Sequence, residues 1–408
     1  MKNSFYVQNI ERISKNNNTP YFVIFEEILK KNHSFLKRSF SGIPTAKIYY
    51  SIKTNFESYL LSALRNLGLD AEVCGELDMT LAERAGFKKQ NIIFDACCKT
   101  EKEIRSALSW DIHLFNVESE EEINFIDRIA GDMNKKAKIG LRIDFRFLSF
   151  NPVNLSMKSL QKKFGLEAGK ICDIARSAST KKHIEIRGLM AHNNNPCKKA
   201  RDYSNMLKKL FLLALQLNHL NINIEEINIG GGLPGVQEEQ KISKIASEIS
   251  EEYIRLSKRY CYSPVLVIEP GRALVENAVI LVGRILRVEE KRAFCDISIN
   301  DLGYKFTFKE KNFFILDSGI NNGRRVRISI YGPTLNPYDR LFLLKDLPAL
   351  HKDDTLVILN AGAYTIPCST QFMRPRPAVF FVNSQGESKL IRRRETAEDI
   401  LATQDWSL

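Results

Sequence analysis

Lys53 is the residue of this sequence whose position most clearly suggests covalent chemistry. It ends a β-rich run at 46–53, in which Tyr49, Ser51 and Lys53 would share one face of a strand. A lysine that points into a protein interior is costly to desolvate, and a buried amine with a lowered pKa can form a Schiff base. The alternative is a lysine at a rim that reaches water, and this residue by itself does not decide between the two.

A triple glycine follows another apolar run directly. The strand candidate at 224–231 runs into Gly230, Gly231 and Gly232. Without side chains, their backbone N–H groups can approach a phosphate closely. A simple tight turn is the alternative, but the position at the end of a strand favours a phosphate site.

A carboxylate and a guanidinium lie close together at the end of the run 264–271. Glu269 is placed to accept a hydrogen bond from a protonated ring nitrogen of a cofactor, which keeps that ring electron-poor. Arg272, next to Gly271, can bind a phosphate or a carboxylate through two parallel hydrogen bonds. The alternative is a Glu–Arg ion pair that closes the fold.

His192 and Arg142 come at or near the ends of two further strand candidates, 183–192 and 137–145. The histidine can lie against a cofactor ring or exchange protons, or it can be a core histidine with satisfied hydrogen bonds. No grouping of cysteine, histidine and carboxylate residues has the spacing of a metal site, so no metal is expected.

The elements that would position these residues alternate regularly in type. Amphipathic helical stretches at 101–110, 200–217 and 242–260 separate short β-rich runs, which argues for parallel strands joined by helices. Eight such units predict a (β/α)8 barrel, whose sites lie at the carboxyl ends of the strands; the alternative is an open doubly wound sheet. The eight predicted strands are 46–53, 69–74, 91–96, 112–119, 137–145, 183–192, 224–231 and 264–271.

The alternation of strand and helix candidates ends after Arg272. The runs 278–290, 325–331 and 355–360 are β-rich and separated by turns, which predicts a mainly antiparallel second domain. A further strand candidate at 19–25 would either join this domain or cap the barrel.

Composition narrows the class of protein. The chain has 408 residues, a net charge of +12 and eight cysteines without CxxC pairs, and it shows neither a signal peptide nor a long apolar run. We therefore expect a cytoplasmic protein with no membrane association. Nucleic acid is considered as a partner because of the charge, but the basic residues are scattered among acidic ones, so no nucleic-acid partner is expected.

Several ordered motifs together resemble the ornithine/diaminopimelate/arginine decarboxylase family, whose enzymes use pyridoxal 5'-phosphate (PLP) on an alanine-racemase-like barrel. The resemblance covers nearly the whole chain. The matching segments are YSIKTN (50–55), LMAHNNN (189–195), INIGGGLPG (227–235), IEPGR (268–272), YGPTLNPYDRL (331–341), NAGAYT (360–365) and RRRET (392–396).

The resemblance implies a PLP-dependent amino-acid decarboxylase in which Lys53 holds the cofactor. It places His192 against the cofactor ring, Glu269 at the pyridine nitrogen, and the phosphate at the triple glycine and at Tyr364 of a neighbouring subunit. The remaining implied cofactor residues are Arg142, Asn195, Gly271 and Arg272, and the implied substrate residues are Asn336 and Asp339.

The same resemblance implies two domains and an obligate homodimer with shared active sites. The barrel would span 39–275, and the β domain would combine 1–38 with 276–408. A catalytically silent homologue that binds a partner protein, and a lysine-dependent aldolase without PLP, are the alternative functions.

Three positions depart from the family pattern. Leu335 replaces the family's cysteine, Asn336 replaces an acid found in enzymes that bind a distal amine, and Asn195 replaces a phosphate-binding serine. The stretch 300–308 also lacks the Arg-Pro-x-Leu-Tyr segment of the diaminopimelate type. The sequence therefore predicts an intact cofactor site and leaves the substrate and the final proton donor open.

Overall fold

The computed structural model describes residues 2–144, 163–192, 199–303, 312–316 and 325–405, with the side chains of 2–5 left aside. The predicted cofactor residue Asn195 lies outside the described residues. The Cα positions divide the chain into two compact units, a barrel unit (Asn32–Lys53 and Leu64–Leu274) and a β unit (Met1–Lys31, Thr54–Ala63 and Val275–Leu408). The predicted domain limits, 39–275 against 1–38 with 276–408, remain our proposal.

The first elements of the chain precede the barrel strands. They are α1 (Lys2–Ser14), β1 (Tyr21–Phe25) and α2 (Glu26–Ser39).

The described part of the barrel unit contains a closed barrel of eight parallel strands, which confirms the predicted fold and rules out the open sheet. Each strand lies within its predicted run. The strands are β2 (Lys47–Ser51), β3 (Asp70–Val73), β4 (Ile92–Asp95), β5 (Leu114–Val117), β6 (Ala137–Arg142), β7 (Ile184–Met190), β8 (Glu226–Asn228) and β9 (Val265–Ile268).

Burial explains why these short runs form strands. Every residue of β4 and β5 is buried, as expected for parallel strands covered by helices on the outside and by packed side chains within. The helices between the strands are α3 (Ser58–Asn66), α4 (Glu76–Ala85), α5 (Glu101–Ser109), α6 (Glu120–Asp132), α7 (Ile171–Ser179), α8 (Ala200–His219) and α9 (Glu239–Tyr260).

Local sequence signals set the ends and faces of these helices. Thr100 and Glu103 form a capping box at the start of α5, where the Thr100 N–H donates to the Glu103 carboxylate at 2.8 Å. The apolar residues of α9 recur at helical spacing and are buried. They are Ile242, Ile245, Ala246, Ile249, Tyr253 and Leu256.

The β unit contains a mainly antiparallel sheet, as predicted. Its strands are β10 (Val279–Glu289), β11 (Arg292–Cys295), β12 (Phe313–Leu316), β13 (Arg325–Tyr331), β14 (Arg340–Pro348), β15 (Thr355–Ile358), β16 (Ala378–Val382) and β17 (Ser388–Arg392). Its short helices are α10 (Arg272–Val275), which spans the unit boundary, α11 (Thr365–Cys368) and α12 (Ala397–Leu401).

The predicted N-terminal strand joins this sheet. β1 pairs antiparallel with β10, where Tyr21 lies opposite Val282, and parallel with β16, where Tyr21 lies opposite Ala378. Ile10 and Ile13 of α1 pack into the buried core of the sheet. No described helix is long and apolar enough to cross a membrane.

Candidate active site

Lys53 lies at the carboxyl end of β2, on a short 3-10 turn formed by Ile52–Thr54. Its Nζ atom is 2.6 and 2.8 Å from the two carboxylate oxygens of Glu72 and 3.0 Å from Cys74 Sγ. Glu72 reaches this place because β2 and β3 are neighbours, with Ser51 opposite Glu72 in the parallel register. The predicted lysine therefore stands at the barrel mouth with a fully buried carboxylate as its partner.

The pKa of Lys53 is not lowered, as it would be in the first of the two alternatives that the sequence left open. Partial desolvation lowers the pKa of this amine, but the charges of Glu72 and Asp95 outweigh that effect and raise the pKa well above its usual value. In addition, 46% of the side-chain surface is exposed, so the desolvation assumed from the sequence is incomplete. Lys53 is therefore an ammonium ion at neutral pH in the protein without cofactor, and it must release a proton before it can act as a nucleophile.

Glu269 follows β9 directly and is buried. Asn228 Nδ2 donates to Glu269 Oε1 at 2.6 Å, while Asn228 Oδ1 accepts from the backbone N–H of Gly230 at 2.7 Å. Burial, followed by the charges of Glu72 and Asp95, raises the pKa of Glu269 well above its usual value. A cationic N–H group placed against this carboxylate would reverse the shift, because an opposite charge favours the ionised form.

The triple glycine is required by close packing rather than by a turn alone. A Cβ atom on Gly231 would lie 2.2 Å from the carbonyl oxygen of Glu269, and one on Gly230 would lie 2.7 Å from Cδ2 of His192. Gly230 and Gly232 also have positive φ angles, +65° and +77°, which favour glycine. The predicted loop, the histidine and Glu269 are thus brought together at the carboxyl ends of β7, β8 and β9.

Arg142 ends β6 and is held by two carboxylates. Its Nη1 atom is 3.0 Å from Asp95 Oδ1 and 2.6 Å from Glu118 Oε1. Burial lowers the pKa of Arg142, but Asp95 and Glu118 more than compensate, so the pKa is raised. These contacts indicate that Arg142 is charged and holds Asp95 and Glu118 in place at the barrel mouth. Direct contact between Arg142 and a cofactor remains a prediction.

Three predicted site residues lie in the β unit. Tyr364 precedes α11 with a φ of +61°, and Asn336 Oδ1 accepts from the backbone N–H of Tyr338 at 2.9 Å. Asp339 is buried, and its carboxylate accepts from the N–H of Ile299 at 2.7 Å and from the N–H of Thr334 at 3.0 Å. The geometry therefore favours a structural role for Asp339 over the predicted substrate contact.

Two predicted cofactor residues follow Glu269. The carbonyl of Gly271 accepts from the N–H of Leu274 at 3.0 Å, and Arg272 begins α10. The functional roles of both remain predictions.

Four residues of the site were not identified as functional from the sequence. They are Glu72, Asp95, Glu118 and Asn228, each of which contacts a predicted site residue. A sequence signal exists for each, because each is a polar residue close to the carboxyl end of a barrel strand.

The described residues of the barrel unit suit PLP. Lys53 offers an amine to an aldehyde, the glycine loop offers a backbone surface that a Cβ would obstruct, and Glu269 offers a buried acceptor to a ring N–H group. Among the described residues, no group of three or more His, Cys, Asp or Glu could hold a metal ion.

Comparison with known proteins gives consistent matches. Residues 26–276 match the family model of the pyridoxal binding domain of pyridoxal-dependent decarboxylases. A diaminopimelate decarboxylase from Aquifex aeolicus is 27% identical over 398 residues, which cover 96% of this chain and 93% of the relative. An L-glutamyl-(BtrI acyl-carrier protein) decarboxylase from Niallia circulans is 26% identical over 435 residues, with coverage of 97% and 96%.

A solved structure agrees with these matches. The crystal structure of the diaminopimelate decarboxylase from Methanocaldococcus jannaschii superimposes with a TM-score of 0.86 at 25% sequence identity. The similarity covers 97% of this chain and 94% of that structure.

Proposed function

Since this chain belongs to the pyridoxal-dependent decarboxylase family and is a PLP-dependent amino-acid decarboxylase, we propose that Lys53 carries the cofactor and that the substrate's distal end is not a bare ammonium. The observation that carries the first part is the position of Lys53 Nζ at the barrel mouth, 2.6 Å from the buried Glu72. The comparisons give no support to a silent binding protein.

The site residues of the barrel unit then have defined roles. Glu72 accepts the proton that Lys53 must lose, because it contacts the amine through both oxygens. The backbone N–H groups of the glycine loop bind the phosphate, and Glu269 holds a proton on the pyridine nitrogen. When bound, PLP supplies an electron sink for the electrons that carbon dioxide leaves behind.

The substrate proposal rests on position 336. A distal ammonium in a closed site needs a carboxylate partner, since a buried unpaired charge is expensive. Asn336 supplies none, and the Asp339 carboxylate is occupied by backbone N–H groups. The names of the two relatives agree, because neither diaminopimelate nor a protein-bound glutamyl group ends in an ammonium alone.

We expect the protein to release carbon dioxide from diaminopimelate or from an acidic or derivatised amino acid far faster than from ornithine or lysine. Asn336→Asp should raise kcat/KM for ornithine by about tenfold or more, since a hydrogen bond to a charged group is worth about 1.5–3 kcal/mol. The turn should survive, because aspartate can also accept from the Tyr338 N–H. Kinetics on a substrate panel test this, with Asn336→Ser as the neutral control.

Efficient ornithine decarboxylation by the unaltered protein would contradict the substrate proposal. It would leave the cofactor assignment untouched.

We also propose a homodimer, and an exposed apolar surface in the β unit supports it. Leu335 is 86% exposed, Tyr338 is 73% exposed, and Phe372 and Met373 are each 52% exposed. The backbone N–H of Leu335 contacts Met373 Sδ at 3.3 Å, so the two segments are adjacent. Patches of this kind mark interaction sites, and we propose a second copy of this chain as the partner. The cytoplasmic location remains a prediction.

Placing charges on this surface should separate the copies. The double variant Leu335→Glu, Tyr338→Glu is expected to sediment as a monomer, because two carboxylates would have to be desolvated at the contact. Leu77→Glu, at a residue of α4 that is 60% exposed, is the matched control and should remain dimeric. A monomeric unaltered protein, or a double variant that remains dimeric, would contradict the proposal.

A further inference from the structure

Cys74 belongs to a triangle of polar side chains that the proposed function does not fully use. Its Sγ atom is 2.8 Å from Glu72 Oε1 and 3.0 Å from Lys53 Nζ, and the same Glu72 oxygen is 2.6 Å from Lys53 Nζ. Each of the three groups therefore contacts the other two.

The surroundings of Cys74 keep its thiol protonated. Burial, followed by the charge of Glu72, raises the pKa of Cys74 well above its usual value. The other charged groups close to it are Lys53 and Asp78 on α4, whose Oδ2 accepts from the Cys74 backbone N–H at 2.9 Å. A neutral thiol beside a carboxylate acts as a hydrogen-bond donor, so Cys74 donates to Glu72.

The chemistry of Lys53 makes this donor important. As an ammonium ion, Lys53 has three N–H groups and contacts both oxygens of Glu72. Once its nitrogen is bonded to a carbonyl carbon, it keeps one N–H group at most. Glu72 is fully buried, so it then loses donors that water does not replace, and a buried carboxylate without donors is expensive.

We propose that Cys74 is a positioning residue of this site, whose thiol keeps the carboxyl group of Glu72 aimed at the Lys53 nitrogen before and after the cofactor is attached. The inference rests on the proposed attachment of PLP to Lys53. It assigns the thiol a task that depends on its ability to donate a hydrogen bond and not on its volume.

The test uses protein stripped of cofactor and measures how the rate of PLP capture depends on pH. Cys74→Ala and Cys74→Val remove the donor, whereas Cys74→Ser keeps one. A carboxylate with one donor fewer is a stronger acceptor and holds the Lys53 proton more firmly. At each pH the rate of capture should therefore fall by about tenfold in the alanine and valine variants and stay near its original value in the serine variant, because a rise of about one unit in the pKa of Lys53 lowers its deprotonated fraction about tenfold.

Two controls make the measurement specific. Cys172→Ala removes a free thiol on α7 and should leave the profile unchanged. The rates are compared from about pH 7 to pH 10, which lies below the raised pKa of Lys53, so that capture depends on the small deprotonated fraction of this amine. Burial raises the pKa of Asp78 to about 6, so Asp78 titrates below this range. Captured PLP is fixed with borohydride and located by mass spectrometry.

The possible failures can be told apart. A reduced adduct on a lysine other than Lys53 would overturn the proposed function and with it the premise of this inference. An adduct on Lys53 that forms at the same rate in the alanine, valine and unaltered proteins would overturn the inference about Cys74 alone. A serine variant whose capture of PLP slows as much as that of the alanine variant would also overturn it, and the valine–serine comparison suffices if Cys74→Ala fails to fold.

Discussion

Lys53→Arg is expected to abolish the covalent attachment of PLP completely while the protein remains folded. A guanidinium stays protonated and does not act as the nucleophile toward an aldehyde, but it can still pair with the buried Glu72. Lys53→Ala should also lose the attachment, although it leaves the carboxylate without its cation, which costs stability. Borohydride reduction followed by mass spectrometry measures the attachment, and circular dichroism measures the fold.

Lys47→Ala is the matched control for this experiment. Lys47 starts the same strand, β2, at the opposite end of the barrel and is exposed. Its replacement should leave the adduct unchanged. An adduct that persists in Lys53→Arg would contradict the assignment of the cofactor lysine.

The barrel could be predicted from the sequence because its strands have a simple physical requirement. A parallel strand is covered on both faces, so it is a short continuous apolar run, and β4 and β5 are of this kind. In the sequence such runs alternate with amphipathic helices, and the active sites of this fold lie at the carboxyl ends of the strands. Lys53, Gly231 and Glu269 were found by that rule.

The electrostatics of the site could not be predicted, because they depend on partners from other strands. The direction of the pKa shift of Lys53 follows from Glu72, which is its neighbour only because of the register between β2 and β3. In the same way, the sequence indicates no partner for the charge of Arg142. In the structure it forms ion pairs with Asp95 at the end of β4 and with Glu118, which follows β5.

Asp339 shows the same limit in the β unit. It stands among residues that resemble a substrate-binding motif, which suggested a substrate contact. Its carboxylate accepts from the backbone N–H of Ile299, forty residues earlier in the chain, which is a contact that the sequence did not indicate. No local sequence pattern indicates such a partner, because the segments of Ile299 and Asp339 meet only in the folded sheet.

Glu269→Gln is expected to lower kcat by about 10²–10³-fold or more while PLP remains attached to Lys53. The amide fills the same space, so the contact with Asn228 and the glycine loop need not be lost. However, a neutral amide does not favour a proton on the pyridine nitrogen, and an unprotonated ring is a poor electron sink. Turnover and bound PLP, measured on the same sample, separate the two effects.

Glu226→Gln is the control, because Glu226 is also a buried barrel glutamate but begins β8 and pairs with His113. It should leave kcat within about tenfold. A folded Glu269→Gln protein with near-normal turnover would mean that Glu269 is a structural residue.

Glu269→Gln should also change how the stability of the protein depends on pH, which can be measured without activity. The raised pKa of Glu269 means that, without cofactor, the folded protein retains a proton there that the unfolded chain releases above about pH 4.5. Between that pH and the folded-state pKa, the contribution of this group to stability therefore falls as pH rises. Glu269→Gln removes the titrating group, so the cofactor-free variant should lose less stability than the unaltered protein as pH rises from 5 to 8. Denaturant unfolding at both pH values measures the difference. Equal losses in the two proteins would show that Glu269 is already ionised before the cofactor arrives.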